Sequence, residues 1–162
     1  ITQIRILSNS KGEIMIRVMF VCHGNICRST MAQCVLSDMV QKKKIKDEFV
    51  IESSATSTEE IGNPIHRGTV NKLNEVGVKV LEHRAIQLKK SDLEKYDYFI
   101  AMDSANVRNM KRILGDNANI HLLLEYAGLN RDIADPWYTG NFDKTYEDVV
   151  LGLEGFLKYL GY

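Results

Sequence analysis

The chain has 162 residues, 44% of them hydrophobic, and balances 21 Lys and Arg against 21 Asp and Glu. That length and apolar share suit one domain with a sizeable core, while a formal net charge of zero gives no global electrostatic support to a nucleic-acid or membrane-surface role. No apolar stretch approaches a membrane span, and Cys22, Cys27 and Cys34, the three cysteines of the chain, lie too close together for a secreted disulfide framework, which points to a reducing cytoplasm. His23, His66, His83 and His121 lack metal spacing, so neither metal nor cofactor is expected.

Residues 1–14 are polar and unpatterned and are expected to be a leader, a cloning-derived segment or an upstream extension, ahead of a single domain over 15–162; an extra edge strand at Ile4 to Leu7 is the competing expectation. The apolar run Ile14 to Val21 predicts a buried strand of a parallel sheet. A short loop follows, and a helical pattern opens at Arg28 or Ser29 and runs through Met31, Cys34, Val35 and Met39 to about Lys44. Lys42, Lys43, Lys44 and Lys46 read as its solvated cationic end. Phe49 to Ile51 predicts a second strand, followed by a turn from Ser53 to Thr58. Pro64 is expected in the first turn of a second helix that carries Ile65, Val70, Leu73 and Val76 and stops at Gly77. An irregular link from Val78 to Leu88 and a helical turn at Leu93 to Tyr96 lead to a third strand, Tyr98 to Met102. Asp103 then caps a helix with Val107, Met110, Ile113 and Leu114 on one side, ended by Gly115. Ile120 to Leu124 is a fourth strand, and Ala127 to Gly140 a loop rich in Gly, Asp and Pro. In the last helix Tyr146, Val149, Val150, Leu153, Phe156, Leu157 and Leu160 form one apolar stripe.

Strands alternating with helices imply an α/β sandwich around a mainly parallel sheet, whose ligands bind beyond the carboxyl ends of the strands. Cys22, Ser53 and Asp103 all fall at such ends. Strand, tight loop with Gly24, and helix start form an arrangement that aims backbone N–H groups and a helix dipole at an anion. Cys22 at the head of this loop should ionise easily and act as a nucleophile. Arg28 at its foot offers a planar fork for two phosphate oxygens, and a cation at a helix N-terminus is unfavourable unless an anion lies nearby. The residues thus describe a phosphate pocket with a nucleophile at its floor. Cys34, by contrast, reads as a small core hydrophobe, and Asp135-Pro136 taken alone is a turn signal.

The string Cys22-His23-Gly24-Asn25-Ile26-Cys27-Arg28-Ser29 resembles the low-molecular-weight protein tyrosine phosphatases, as do Glu52 to Ser57, Tyr96 to Asp103 and Asp135 to Gly140, in family order over about Met15 to Tyr162. The resemblance implies a three-layer sandwich with a four-stranded sheet in the order 2-1-3-4. It also implies phosphotyrosine hydrolysis, with Cys22 attacking phosphorus to give a phosphocysteine. Arg28 and the loop residues His23, Gly24, Asn25, Ile26, Cys27 and Ser29 then surround the phosphate, whose equatorial oxygens carry the transition-state charge. A departing phenolate with a pKa near 10 calls for a proton donor; the resemblance gives that role to Asp135, which Pro136 holds extended.

Ser29 is expected to stabilise the thiolate or to cap the helix, and Cys27 to fill the core or to trap an oxidised Cys22 as a disulfide. By resemblance, Asn25, Ser53 and His83 brace the loop, and Trp137 and Tyr138 wall the phosphotyrosine ring. Ile26 stands where related phosphoarginine phosphatases tend to carry threonine, and so favours phosphotyrosine. Glu59 and Glu60 replace a common aromatic of the second loop, His23 an apolar rim residue and Thr30 a proline, and these changes bear on peptide preference. A thioredoxin-coupled arsenate reductase would need further cysteines around residues 80 to 100, where there are none. A phosphoarginine phosphatase is disfavoured by Ile26 and Trp137, and a non-catalytic phosphate-binding module could dispense with Arg28 or Asp135, both of which are present. The expected partner is a tyrosine-phosphorylated protein or peptide, a bacterial tyrosine kinase among the candidates, acted on by a monomer or weak dimer.

Overall fold

The computed structural model describes residues 7–8 and 14–162. Its strands are β1 (Leu7–Ser8), β2 (Ile14–Cys22), β3 (Phe49–Ala55), β4 (Tyr98–Ala101) and β5 (Ile120–Leu122). Its helices are α1 (Arg28–Lys42), α2 (Arg67–Glu75), α3 (Ser104–Leu114), α4 (Pro136–Thr139) and α5 (Phe142–Tyr159). The four long-range strands lie in the order β3-β2-β4-β5, all parallel, which is the expected 2-1-3-4 arrangement. β1 pairs antiparallel with the start of β2, Leu7 opposite Met15. Two residues of the polar N-terminal stretch therefore join the sheet edge, and the rest of the expectation for residues 1–13 lies outside the described residues.

Successive strand residues face opposite sides, and this sorts the core into two layers. On β2 and β4, Val18, Phe20, Tyr98 and Ile100 face a cluster with Met31 and Leu36 of α1, Leu73 of α2, and Val149, Leu153 and Phe156 of α5. Met19, Val21, Phe99 and Ala101 face the other side, against Met110 and Leu114 of α3 and Leu122 of β5. A strand buried on both faces explains why Val18 to Val21 form an unbroken apolar run. It also places the carboxyl ends of β2, β4 and β5 along one edge of the sheet.

Five local expectations change. Ser53, Ser54 and Ala55 are not a turn; they extend β3 opposite Phe20, Val21 and Cys22. These two serines can lie in a buried strand because their hydroxyls are bonded, Ser54 to the Met19 sulfur and Ser53 to polar groups described below. Pro64 lies outside α2, in an isolated antiparallel bridge with Arg84; α2 begins at Arg67, where His66 Nδ1 accepts from the Gly68 N–H at 2.9 Å and caps it. The helical turn falls at Lys90–Glu94, and the fourth strand stops at Leu122 because the chain turns into a helical segment over Leu123–Ala127. Within the last loop, Pro136 opens the short α4.

α5 seats against the Leu123–Ala127 segment through two glycines. A Cβ on Gly155 would stand 2.2 Å from the Tyr126 carbonyl oxygen, and one on Gly152 2.5 Å from Leu123 Cγ. Backbone at Tyr126 cannot swing aside as a side-chain tip can. Gly155→Ala is therefore expected to destabilise the fold by about 1–3 kcal/mol net, overpacking outweighing the roughly 1 kcal/mol that alanine adds to helix propensity. Urea unfolding midpoints measure this; an unchanged or raised midpoint would show that helix and turn separate freely.

Candidate active site

The loop between β2 and α1 owes its shape to its carbonyls. Cys22 O accepts from Thr56 N at 3.0 Å, His23 O from Ser57 N at 3.1 Å and Ser57 Oγ at 2.8 Å, and Ile26 O from His66 N at 2.8 Å. Cys27 O accepts from Thr30 Oγ1, Thr69 Oγ1 and Met31 N. In a trans peptide the N–H of the next residue points opposite the carbonyl, and no peptide here is cis. With these carbonyls held outward, the N–H groups of His23, Gly24, Cys27 and Arg28 turn to the inner side of the loop. Asn25 makes the reversal at φ +59°, a conformation that asparagine tolerates better than most residues. The result is a concave set of donors at the N-terminus of α1.

Cys22 lies buried at the base of that concavity, its Sγ 3.1 Å from Ser29 Oγ and 3.3 Å from the Asn25 N–H. Asn25 organises the surroundings. Its Oδ1 accepts from His83 Nε2 at 2.7 Å and from Ile86 N at 3.2 Å, and its Nδ2 donates to Ser29 Oγ at 2.8 Å and to Ser53 Oγ at 2.9 Å. Ile86 N is a backbone donor, so the amide orientation is fixed by an obligatory partner. Ser53 then donates to Gln33 Oε1. Ser29 Oγ already accepts from Asn25, so its own proton is free for the Cys22 sulfur once that is a thiolate. Asn25, Ser53 and His83, expected to brace the loop, do meet there, joined by Gln33, which carries no apolar-periodicity signal in the sequence.

Arg28 is only 2% exposed. Its Nη1 donates to Asp103 Oδ2 at 2.7 Å and to Ile133 O at 2.9 Å, and its Nη2 contacts Asp135 Oδ2 at 3.4 Å. Its Nε is buried with no hydrogen-bond partner among the described residues. Burial works against the guanidinium charge, but Cys22, Asp103 and Asp135 outweigh it and hold the pKa above the ordinary arginine value. Asp103 caps α3 as its sequence position predicts, its Oδ1 accepting from Asn106 N at 2.7 Å. The bond from Arg28 to its second oxygen has no local signal in the sequence beyond the place of Asp103 in a matched segment. The Cys27 thiol is pushed up to about 12, first by burial and then by Cys22 and Asp135, so it stays protonated at neutral pH.

Above the loop opens a cleft of about 100 Å³, lined by loop residues, Asp135, Trp137, Tyr138, Glu59 and Glu60. Trp137 and Tyr138 stand 55% and 82% exposed on α4, whose N-terminus is capped by Asp135 Oδ1 accepting from Trp137 N at 3.0 Å. His66 supports Trp137 edge-on at 5.5 Å between ring centroids, while stacking on Phe142 at 5.3 Å. The facing wall is acidic, and His23 Nε2 lies 3.0 Å from Glu59 Oε2. Among the described residues no group of three or more His, Cys, Asp or Glu is placed to hold a metal ion, and no helix is long and apolar enough to cross a membrane.

An anion-cradling loop that carries a thiol and an arginine, at the carboxyl edge of a parallel α/β sheet, defines the class of protein. Residues 17–161 match the family profile of the low molecular weight phosphotyrosine protein phosphatases. The low molecular weight protein-tyrosine-phosphatase YfkJ of Bacillus subtilis is 37% identical over 88% of this chain and 94% of its own length, and its crystal structure superposes with a TM-score of 0.86 over 90% of this chain and 94% of that one. SP-PTP, a low molecular weight protein tyrosine phosphatase of Streptococcus pyogenes, is 39% identical with a TM-score of 0.82, covering 91% of this chain and 95% of that one. DARP, a Drosophila arginine phosphatase, is 26% identical with a TM-score of 0.82, covering 91% and 99%. The chain belongs to the low molecular weight phosphotyrosine protein phosphatase family, whose members are hydrolases.

Burial lowers the pKa of His83 below its ordinary 6.5, and the neutral ring donates to Asn25. The folded state therefore binds this proton less readily than the unfolded chain. The stability contribution is complete above pH 6.5 and is lost as pH falls from 6.5 through the folded-state value. Urea midpoints should accordingly drop on acidification through this window, and His83→Gln should flatten part of that slope; an identical slope in the variant would remove His83 as its source.

Proposed function

We propose that this chain hydrolyses phosphotyrosine in a protein or peptide through a phosphocysteine intermediate. The observation that carries the reading is the buried Arg28 Nε without a partner among the described residues, on a side chain that lines one cleft with Cys22 and the loop. A cation and donors so arranged await an oxyanion. In the first step the Cys22 thiolate attacks phosphorus in line, the aryl O–P bond breaks, and protonated Asp135 gives its proton to the leaving phenolate oxygen. Loop N–H groups and Arg28 hold the three equatorial oxygens as charge spreads over them. In the second step the Asp135 carboxylate takes a proton from water, the water oxygen attacks phosphorus, the S–P bond breaks, and thiolate and phosphate are released. The long 3.4 Å contact between Arg28 Nη2 and Asp135 is the easiest to exchange for a phosphate oxygen, which frees that carboxyl oxygen for the leaving group.

Ser29 steadies the thiolate, and Cys27, protonated at neutral pH, does not compete with it. Trp137 and Tyr138 offer flat faces to a phenyl ring. The acidic wall of Glu59 and Glu60 bears on which residues flank the phosphotyrosine. The likeness to an arginine phosphatase makes phosphoarginine the substrate to test beside phosphotyrosine.

Steady-state assays on phosphotyrosine, phosphoserine and phosphoarginine peptides are expected to show metal-independent turnover of phosphotyrosine above the other two. Cys22→Ser should lose activity by a factor of about 10³ or more, the hydroxyl being a far poorer nucleophile. Activity retained in that variant, or a preference for phosphoarginine, would overturn the assignment. Asp135→Ala should slow phenyl phosphate by about 10²–10⁴-fold and aryl phosphates with acidic leaving groups much less; equal slowing across the series would take the acid role from Asp135.

A further inference from the structure

The loop that carries Asp135 is held at consecutive residues to different parts of the fold. Ile133 N donates to Met102 O at 2.9 Å, at the end of β4, and Ile133 O accepts from Arg28. Asp132 Oδ1 accepts from Ser104 N and Ser104 Oγ, both at 3.0 Å, at the start of α3. Arg131 reaches α5, where its Nη1 and Nη2 donate to Asp148 Oδ2 and Oδ1 at 2.9 and 2.8 Å. Asp148 is 4% exposed, and Lys144 Nζ is its other cationic neighbour at 3.4 Å.

A carboxylate buried on the inner side of a helix is costly compared with an apolar residue there, and buried ion pairs are weak contributors to stability. The pair spans 17 residues of sequence, from the loop of Asp135 to α5. A parallel two-bond fork fixes direction as well as distance. Arg131 lies four residues before Asp135, and together with the anchors at Asp132 and Ile133 its fork sets the course of the chain into that residue. The hydrogen bonds of Arg131 hold the Asp148 carboxyl below its usual range, which keeps the fork charged at neutral pH.

We propose that Asp148 is a positioning residue for the reaction, acting through Arg131 to aim the carboxyl group of Asp135 at the leaving oxygen. The proposal rests on the acid role given to Asp135 above. Misplacing a reacting group by about 1 Å can cost on the order of 10²-fold in rate, whereas the loop N–H groups keep their own anchors and Arg28 keeps its 2.7 Å bond to Asp103 when the bond to Ile133 O loosens. The effect therefore belongs to proton delivery and not to phosphate binding.

The test uses the full chain with Asp148→Asn, Arg131→Gln and Arg131→Lys, each assayed on aryl phosphates of graded leaving-group pKa, with inorganic phosphate as inhibitor. Asp148→Asn and Arg131→Gln are expected to lower kcat on phenyl phosphate about tenfold and on p-nitrophenyl phosphate less than threefold, with phosphate inhibition unchanged within twofold. Arg131→Lys, which keeps one bond, should fall between. Added to Asp135→Ala, Asp148→Asn should slow the enzyme no further, because it acts through a group already removed. Uniform slowing across leaving groups, additive slowing in the double variant, or a lowered Tm with an unchanged leaving-group series would overturn the proposal. If Asp148→Asn does not fold, Arg131→Gln carries the same comparison from the half-exposed side of the pair. Should Asp135→Ala itself show no leaving-group dependence, the acid assignment fails, and that result reads separately from any effect of Asp148.

Discussion

A guanidinium withdrawn from water must be met by charge and hydrogen bonds, and the site is built around meeting that demand for Arg28 only in part. Asp103 and the Ile133 carbonyl take Nη1, Asp135 lies at the edge of hydrogen-bonding range from Nη2, and Nε has no partner among the described residues. The satisfied side faces the protein. Arg28 and Cys22 line the same cleft, and the unmet Nε is the donor that the proposed phosphate would engage. Three carboxyl-terminal strand ends converge to produce this, because a parallel sheet sends them all to one edge: β2 leads into the loop, β4 into Asp103, and β5 into the segment bearing Ile133 and Asp135.

Economy of placement follows from the same constraint. Asp103 spends one oxygen on the α3 cap and the other on Arg28, so the start of a helix and the orientation of the guanidinium are one structural decision. Asp135 likewise caps α4 with one oxygen and approaches Arg28 with the other, which ties this carboxylate to the helix presenting Trp137 and Tyr138. A change at either carboxylate therefore moves secondary structure and chemistry together. This is why a variant's melting temperature alone cannot assign a role at these positions.

Local regularities are legible in the chain and long-range polar contacts are not. The double-faced burial of β2 writes itself as an apolar run, and α5 as a stripe, because packing imposes a period on the sequence. The Cys22–Arg28 spacing is legible for the same reason: a strand, a tight loop and a helix start are neighbours in sequence. Ser53 and Ser54 mislead, since small polar residues suggest a turn until one knows that Asn25, Gln33 and Met19 are there to bond them. Pro64 misleads in a different way: its fixed φ suits a first helical turn, but the pairing with Arg84 places it before the cap at His66. Asp135 is reachable only by resemblance, and the fork between Arg131 and Asp148 not at all, because an ion pair across a fold leaves no period behind it.

The Asn25 side chain shows how much one amide can decide. Four groups use it, two on each end, so neither the oxygen nor the nitrogen can be exchanged without leaving a buried partner unmet. The Ile86 N–H and the His83 ring take the oxygen; the nitrogen must then donate to both serines, and each serine has its own proton left to give. Ser53 gives it to Gln33, an acceptor. Ser29 Oγ stands 3.1 Å from the Cys22 sulfur, whose thiol donates to it. The polarity of the whole chain of bonds is thus set at a backbone N–H in a neighbouring strand-like segment, and it ends at the hydroxyl beside the Cys22 sulfur. The Cys22 surroundings and the loop are ordered by the same residue, whose left-handed backbone turns the loop and whose side chain holds the hydroxyl beneath it.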